Sequence, residues 1–146
     1  MKRYMSLDIG DATIGIAVSD LLGFTAQGVE TIRRTTLAED LDRLGVLVQE
    51  YGVAAFVAGL PKHMNGDEGE RCTVVRTFMA DVAERFPALE MHYWDERLST
   101  VAASRALLEG DVSRKKRRRV IDKMAAVYIL QGFLDRQQFL KSCALS

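Results

Sequence analysis

The sequence has few of the residues on which several common architectures depend. It contains two cysteines, two prolines and two histidines among 146 residues. Cys72 and Cys143 have no CxxC or CxxxH context, so we expect neither a disulfide framework nor a zinc site, and we expect a reducing, cytoplasmic compartment. With so few prolines and only eleven glycines, a collagen-like or Pro/Gly-rich disordered chain is excluded.

Long apolar runs and an excess of one charge are also missing. The longest apolar run, Val53 to Leu60, is far shorter than the roughly 20 residues of a membrane helix. Ser6 and Asp8 interrupt the apolar stretch after Tyr4, so a signal peptide is not expected, and we predict an unexported protein without membrane association. Twenty Lys and Arg balance twenty Asp and Glu. Any attraction to nucleic acid must therefore come from local clustering of charge.

What is present is the composition of a globular protein, with 48% hydrophobic and 27% charged residues. We expect a single domain over residues 1–146, with the last few residues as a flexible tail. The turn Gly10–Thr13 separates the first two strands, and Thr36 with Glu39 forms a capping box at the start of the first helix. Apolar periodicity predicts strands over 2–9, 15–19, 28–33, 53–60 and 89–94, and helices over 37–52, 69–86, 99–109 and 120–139.

The order of these elements predicts an α/β fold built on a five-stranded mixed sheet. An antiparallel meander of three strands comes first. Parallel strand-helix units follow, and their right-handed crossovers place helices on both faces of the sheet. The strand over 53–60 is apolar throughout, as is typical of a strand buried on both faces.

Two acidic residues lie at strand ends, where a ligand would be held. Asp8 is in phase with Tyr4 and Ser6 near the end of the first strand; it either caps the following turn or faces a ligand. Glu96 follows the last strand directly, at the edge where parallel strands place ligand-facing residues. A run of charges there is also typical of a solvated turn, in which Asp95 or Arg97 pairs locally.

A third acid, Asp122, falls on the apolar stripe formed by Ala126, Ile129 and Phe133. A carboxylate on that stripe faces the domain, where it forms a salt bridge or binds a metal ion. Carboxylates that converge from a first strand, a late strand end and a C-terminal helix suit Mg²⁺ or Mn²⁺. Two such ions about 4 Å apart can activate a water and stabilise the leaving oxygen of a phosphodiester. This chemistry needs no histidine.

Cations that could bind phosphate are clustered, although the chain as a whole is neutral. A run of six precedes the helix of Asp122, and it is either a phosphate-binding patch or a solvated linker, expected as a loop that stays mobile until an anion binds. Other polar residues flank the loop after the strand 53–60, where they position phosphate or only shape the connection. Arg97 could instead orient Glu96. The candidate substrate-binding residues are Lys62, Asn65, Arg71, Arg97, Arg114, Lys115, Lys116, Arg117, Arg118 and Arg119.

Four blocks of sequence occur in order between residues 5 and 135. They are Asp8-Ile-Gly10 with Gly15-Ile-Ala17-Val-Ser19-Asp20; Gly59-Leu-Pro61 with Met64-Asn-Gly66 and Arg71; Asp95-Glu-Arg-Leu-Ser-Thr100; and Asp122-Lys-Met-Ala-Ala126 with Ile129-Leu-Gln131. This series resembles the YqgF/RuvX family over nearly the whole chain.

The resemblance implies an RNase H-like fold and a metal-dependent nuclease. The family was first likened to Holliday junction resolvases and is linked to processing of the 5′ end of precursor 16S ribosomal RNA. The resemblance assigns Asp8, Glu96 and Asp122 as catalytic and metal-binding residues, with Mg²⁺ or Mn²⁺ as the cofactor. Family members commonly carry a basic residue in the turn where this chain has Asp11-Ala12-Thr13, so a phosphate contact from that turn is not implied here, and Asp11 has either a metal-side or a structural role.

Three functions remain open on the sequence. The first is an endonuclease that acts on precursor rRNA, with ribosomal precursor particles as partners, or on branched DNA as a resolvase. The second is an ATPase or sugar kinase fragment, because Asp-Xaa-Gly between two strands also binds phosphate in actin-like kinases, although 146 residues cannot supply their second lobe. The third is a non-catalytic RNA-binding assembly factor. A resolvase needs two active sites and so a homodimer, whereas the other functions also suit a monomer.

Overall fold

Five strands form one mixed sheet in the order β3-β2-β1-β4-β5. The computed structural model describes residues 2–98 and 114–145, and it describes side chains over 2–98 and 124–143. The expected helix over 99–109 lies outside these residues. The elements are β1 (Arg3–Ile9), β2 (Thr13–Ser19), β3 (Ala26–Arg33), α1 (Leu37–Tyr51), β4 (Val53–Leu60), α2 (Glu70–Arg85), β5 (Glu90–Asp95), a single 3-10 turn (Glu96–Leu98) and α3 (Arg114–Leu145).

The strand pairing confirms the predicted architecture. β1 pairs antiparallel with β2, and β2 pairs antiparallel with β3. β1 and β4 are parallel, as are β4 and β5. The carboxyl ends of β1, β4 and β5 therefore lie along one side of the sheet, which we call the carboxyl edge, and the loop between β2 and β3 lies at the opposite, amino edge.

One face of the sheet packs against α1 and α2. The alternation of β1 turns Met5, Leu7 and Ile9 to this face, where they are buried in the larger core. The predicted cap of α1 is present, because the Thr36 hydroxyl accepts the backbone N–H of Glu39 at 3.2 Å. Gly52, with φ of 63°, ends α1 in the left-handed conformation that glycine adopts without strain.

The other face is covered by α3, which packs across β1 to β4. The Phe133 ring contacts the Tyr4 ring edge-on, with centroids 5.3 Å apart, and the Ser6 hydroxyl donates to the Ala126 carbonyl at 2.6 Å. Tyr4, early in β1, contacts Phe133, and Ser6, later in β1, contacts Ala126, which comes earlier in α3. The helix α3 is therefore antiparallel to β1. Ala126, Ile129 and Phe133 are all buried, which confirms the predicted apolar stripe over the described side chains.

The helix α3 begins earlier than predicted. It starts at Arg114, six residues before the predicted start at Val120, so the run of cations is helical and the expectation of a loop there is wrong. Lys and Arg are good helix formers, and like charges one turn apart cost only about 0.2–0.5 kcal/mol per pair, which a long helix tolerates. The same helix continues through Leu145, into the residues for which a tail was expected.

Two smaller observations complete the fold. β2 begins at Thr13 rather than at Gly15, because the Thr13 carbonyl accepts the N–H of Gly10 at 2.9 Å and shortens the turn. Within the described ranges, no helix is both long and apolar enough to cross a membrane.

Candidate metal and nucleic-acid site

Asp8 is held inside the sheet near the carboxyl edge, and its side chain is only 7% exposed. It lies on the same face as Ser6, which is the face covered by α3. The parallel register joins Ser6 to Val57 and Leu7 to Ala58, so the next positions along these two strands are Asp8 and Gly59. The N–H of Gly10 is taken by the Thr13 carbonyl, so the backbone itself closes the turn after Asp8.

Glu96 reaches the same place from the end of β5. It is the first residue after the strand and is 6% exposed. Its carboxyl carbon lies 3.4 Å from the position that a Cβ on Gly59 would occupy. The absence of a side chain at Gly59 therefore leaves the space into which Glu96 folds, and Asp8 and Glu96 both border this glycine.

The backbone of α3 brings a third acidic position toward these two. Asp122 is one helical turn before Ala126, whose carbonyl binds Ser6. One turn of α3 advances about 5–6 Å, and the step from Ser6 to Asp8 advances a similar distance, about 6–7 Å, toward the carboxyl edge. Because the helix and the strand are antiparallel, both steps go in the same direction. The side chain of Asp122 lies outside the described side chains.

The donor chemistry of this corner fits a hard divalent cation. Glu96 packs over Gly59 and the strand register brings Asp8 beside it, each acid being less than a tenth exposed. Carboxylate oxygens are the ligands that Mg²⁺ and Mn²⁺ prefer. Among the side chains that the structure describes, no group of three or more acids, histidines or cysteines is placed to hold a metal. A third ligand would have to come from residues whose side chains are not described, and Asp122 is the one that the sequence predicts.

The two histidines have other surroundings. The ring of His92 packs between Tyr4 and Phe133, with centroid distances of 6.1 and 5.1 Å. His63 is exposed in the loop after β4, beside Gly69. Trp94 is buried in the core under α3, where it packs against apolar side chains and is not available for base stacking.

Interactions between charged side chains connect the loop over residues 61–69 to α2 and, through Arg76, to β5. Lys62 Nζ lies 3.9 Å from a carboxylate oxygen of Glu68, and Arg76 donates to both oxygens of Glu68 at 2.6 and 2.9 Å. The hydrogen bond from Arg76 lowers the pKa of Glu68. The guanidinium of Arg76 also lies over the ring of Tyr93, 4.9 Å from its centroid. Arg71 is exposed in the first turn of α2.

Asn65 and Arg97 hold the tip of this loop. The side chain of Asn65 accepts the N–H of Asp67 and donates to its carboxylate, both at 3.0 Å, so Asn65 does shape the connection. Arg97 pairs with Asp95, the closest distance being 2.6 Å, which confirms local pairing. Its Nη1 also donates to the carbonyl of Met64 at 3.4 Å. The hydrogen bond from Arg97 lowers the pKa of Asp95.

Sequence reasoning missed a basic residue at the β1–β2 turn. Arg34, which follows β3, donates to the Gly10 carbonyl at 2.8 Å and lies 3.4 Å from the carboxylate of Asp40. Asp40 is 3% exposed on the buried face of α1. An acid on that apolar face was the available signal, because a buried carboxylate requires a partner. Asp11, in the same turn, is exposed.

The fold belongs to the RNase H-like class, as the comparison with solved structures shows. The structure of Thermus thermophilus RuvC in complex with a Holliday junction substrate aligns over 94% of this chain and 97% of that chain, with a TM-score of 0.56 and 11% identity. A second Thermus thermophilus RuvC structure aligns with a TM-score of 0.51 and 12% identity, over 93% and 96% of the two chains. At this identity the likeness establishes the fold, and it confirms the RNase H-like expectation.

Sequence comparison then gives the family. The family model of RuvX, described as Holliday junction resolvase, matches residues 2–136, and the chain belongs to this family. A protein of Heliobacterium modesticaldum named "Putative pre-16S rRNA nuclease" is 53% identical over 94% of this chain and 92% of its own length. A protein of the same name from Moorella thermoacetica is 55% identical over 92% and 95%. The prediction of a phosphodiester-cleaving nuclease family is thereby confirmed.

Proposed function

We propose that this chain is a divalent-metal-dependent endonuclease that processes the 5′ end of precursor 16S rRNA on ribosomal precursor particles in the cytoplasm. The observation that carries the proposal is that Glu96 packs over Gly59 while the strand register brings Asp8 beside the same glycine, with both acids buried at the carboxyl edge of an RNase H-like sheet. The names of the relatives from Heliobacterium and Moorella support RNA as the substrate.

Asp8, Glu96 and Asp122 are the residues that would hold Mg²⁺ or Mn²⁺. The bound cation would supply an activated water and stabilisation of the leaving oxygen. The protein contributes the placement of the carboxylates: Asp8 is fixed by strand pairing on both sides of β1, and Glu96 is fixed by burial over Gly59. A rigid, water-poor corner holds charges in place before the reaction begins.

The polynucleotide would lie along the carboxyl edge, where the proposed phosphate-binding residues occur on both sides of the acids. Lys62, Asn65, Arg71 and Arg97 belong to the β4–α2 loop, the start of α2 and the 3-10 turn. The cations at 114–119 occupy the first turns of α3, immediately before Asp122. The ion pairs that Lys62 and Arg97 form within the protein are exchangeable for phosphate, because exposed salt bridges are worth only about 0–1 kcal/mol.

Resolution of branched DNA is the second candidate, and the description of the family model favours it. Cutting a four-way junction symmetrically requires two active sites and therefore a homodimer, whereas precursor rRNA requires one site and allows a monomer. Light scattering of the protein alone and with each substrate, together with cleavage assays on both substrates, separates these functions. Cutting of the junction alone by a dimer would replace the rRNA proposal with the resolvase.

The substitution Asp8→Asn tests the catalytic assignment. It keeps the shape of the side chain and removes its charge, so cleavage is expected to fall by at least about a hundredfold. Loss of a residue that only hydrogen-bonds to a metal ligand costs up to about a hundredfold, and loss of the ligand itself is expected to cost at least as much. Binding of RNA, measured by fluorescence anisotropy, is expected to persist or tighten because one negative charge is removed. Chelation of divalent ions is expected to abolish cleavage by the unmodified protein.

The control is Asp135→Asn, the same change on an exposed face of α3. The Oδ1 of Asp135 accepts from Gln131, which also reaches the Phe24 carbonyl at the amino edge, so this variant is expected to cut normally. Undiminished cleavage by Asp8→Asn would refute the site. Salt-sensitive binding without metal-dependent cutting would identify a non-catalytic RNA-binding protein instead.

A further inference from the structure

Met64 is the most exposed of the large hydrophobic side chains that the structure describes, at 89%. A single exposed apolar residue needs no explanation by itself. Met64, however, is on the loop that follows β4, and its carbonyl accepts from Arg97, the residue after Glu96, so its backbone lies beside the proposed catalytic corner. The exposed apolar residues Leu21, Leu22 and Phe24 lie instead in the loop at the amino edge.

The backbone that carries Met64 is fixed by hydrogen bonds. The N–H of Gly66 donates to the His63 carbonyl at 2.8 Å, and the N–H of His63 donates to the Asp67 carbonyl at 2.9 Å. Gly66 has φ of 94°, which only glycine adopts readily. Met64 is thus the second residue of a closed turn, and a fixed backbone lowers the entropy lost when its side chain is used in a contact.

The surroundings of Met64 suit a nucleic acid. The Met64 carbonyl accepts from Arg97, whose neighbour in sequence is Glu96, and Lys62 stands two residues away. Within the protein Lys62 pairs with Glu68 and Arg97 with Asp95, and these pairs would have to give way to phosphate. An apolar tip flanked by cations that can exchange partners matches a polynucleotide, in which apolar base faces alternate with phosphates. Proteins that kink or unstack duplexes insert methionine and other apolar side chains between base steps in this way.

We propose that Met64 is a wedge that enters between two bases next to the phosphodiester to be cut, so that the protein selects substrates with an easily unstacked step. The inference rests on the proposed nuclease function of the carboxyl edge. The preferred ligands are the ends and junctions of nucleic-acid duplexes, where unstacking a base step costs little. Uniform duplex, where unstacking costs more, is expected to bind less well. Selection is by deformability and not by base identity, because a thioether makes no base-specific hydrogen bonds.

The test measures unstacking and affinity in the Asp8→Asn background, where cleavage does not interfere. Oligonucleotides carry 2-aminopurine at the strand junction of a precursor-rRNA stem, at the centre of a four-way DNA junction, or within uniform duplexes of each kind. With Met64 intact, 2-aminopurine fluorescence is expected to rise on binding to the junction-containing RNA or DNA. The variants Met64→Ala and Met64→Gln are expected to lose this rise and to bind that substrate roughly tenfold more weakly, a change of about 1.4 kcal/mol.

Two further variants make the outcome specific. Met64→Leu keeps an apolar wedge and is expected to retain both signals, while Leu22→Ala, at the amino edge, is expected to leave them unchanged. Equal fluorescence and affinity with and without Met64, or an equal loss of affinity for uniform duplex, would overturn the wedge. Absence of nucleic-acid binding overturns the wedge and the proposed function together, whereas a Met64-dependent rise in a protein that does not cut sustains the wedge and removes only the nuclease.

Discussion

At the scale of single residues, the candidate site depends on a position that has no side chain. Gly59 lies where Asp8 approaches from β1, Glu96 from β5 and Ile129 from α3. A Cβ there would overlap the Cδ1 of Ile129, lie 3.0 Å from its Cγ1 and stand 3.4 Å from the carboxyl carbon of Glu96. The close approach of α3 to the sheet and the inward position of the Glu96 side chain therefore both depend on the absence of a side chain at Gly59.

The substitution Gly59→Ala is expected to destabilise the protein and to impair cleavage together. Ile129 is fully buried and β-branched, so it has few rotamers with which to move aside, and overpacking of this kind costs about 1–3 kcal/mol. Displacement of Glu96 lowers the cleavage rate even at temperatures where the variant is folded. Thermal unfolding and metal-dependent cleavage measure the two effects.

Gly45→Ala provides the matched control, because a Cβ at this helical position meets only ordinary contacts, 3.7 Å from the ring of Phe86. It is expected to stabilise α1 by up to about 1 kcal/mol through helix propensity. Pairing Gly59→Ala with Ile129→Val is expected to restore part of the stability. A Gly59→Ala protein as stable and active as the original would contradict the role of Gly59 in the site.

Some of the residue positions in the site could be predicted from the sequence, and others could not. The period of β1 placed Asp8 and Ser6 on one face, and the structure confirms that this face is covered by α3. The roles of Gly59 and Arg34 were not predictable in the same way. Both depend on contacts between residues far apart in the chain, Gly59 with Glu96 and Ile129, and Arg34 with the Gly10 turn. Asp40 on the apolar face of α1 indicates that a basic partner is needed, but no local pattern identifies these longer-range contacts.

At the scale of elements, the side chain of Arg97 links the end of β5 to the β4–α2 loop. Arg97 forms an ion pair with Asp95 across the first turn after the strand, and it also donates a hydrogen bond to the Met64 carbonyl. The side-chain and backbone hydrogen bonds from Arg97 hold the pKa of Asp95 below its ordinary value despite partial burial. The carboxylate form of Asp95 is therefore the form that stabilises this junction.

The consequence is an acid-dependent loss of stability. A lowered pKa in the folded protein means that the contribution of Asp95 is fully present above the ordinary pKa of aspartate, about 3.9, and is lost as the pH falls through the lowered value. The difference in unfolding free energy between the original protein and Asp95→Asn, measured in urea from about pH 7 to about pH 3, is expected to shrink in the acid range.

A double-mutant cycle tests the assigned cause of this effect. In the background Arg97→Gln, the same Asp95→Asn substitution is expected to produce a much smaller dependence on pH, because the main source of the shift is gone. A dependence of the same size with and without the guanidinium would assign the lowered pKa to another group.

Element boundaries show where sequence reasoning succeeds and fails. The cap at Thr36 and the left-handed glycine at Gly52 are local signals, and α1 begins and ends where they indicate. The start of α3 lies earlier than predicted because the helix propensity of the six cations outweighs the repulsion among them. Charge repulsion acts in tenths of a kcal/mol per pair, whereas packing of residues 125–134 against the sheet supplies several kcal/mol to the same helix.

At the scale of the whole molecule, a chain with no net charge concentrates cations on one helix end. Replacing Lys115 and Lys116 with Gln is expected to weaken RNA binding by a similar factor for all sequences, since phosphates carry no sequence information. The slope of log affinity against log salt is expected to become shallower by about 0.7 for each phosphate of single-stranded RNA that is no longer neutralised, and by about 0.9 for each phosphate of a duplex.

Lys141→Gln serves as the comparison, because Lys141 is exposed near the other end of the same helix. It changes net charge by one and is expected to leave the slope unaltered. Because the double substitution removes two charges, a change of slope half as large for Lys141→Gln would show that binding depends on overall charge and that the assignment of the patch at 114–119 is wrong.

The continuity of α3 has a geometric consequence for cutting. Arg114 and Asp122 belong to one uninterrupted helix, so their backbones are separated by a fixed rise of about 12 Å. In the proposed function, a phosphate-binding residue at 114 and a metal-binding residue at 122 would keep a constant spacing along the helix. A single residue inserted between them would rotate one relative to the other by about 100° around the helix axis.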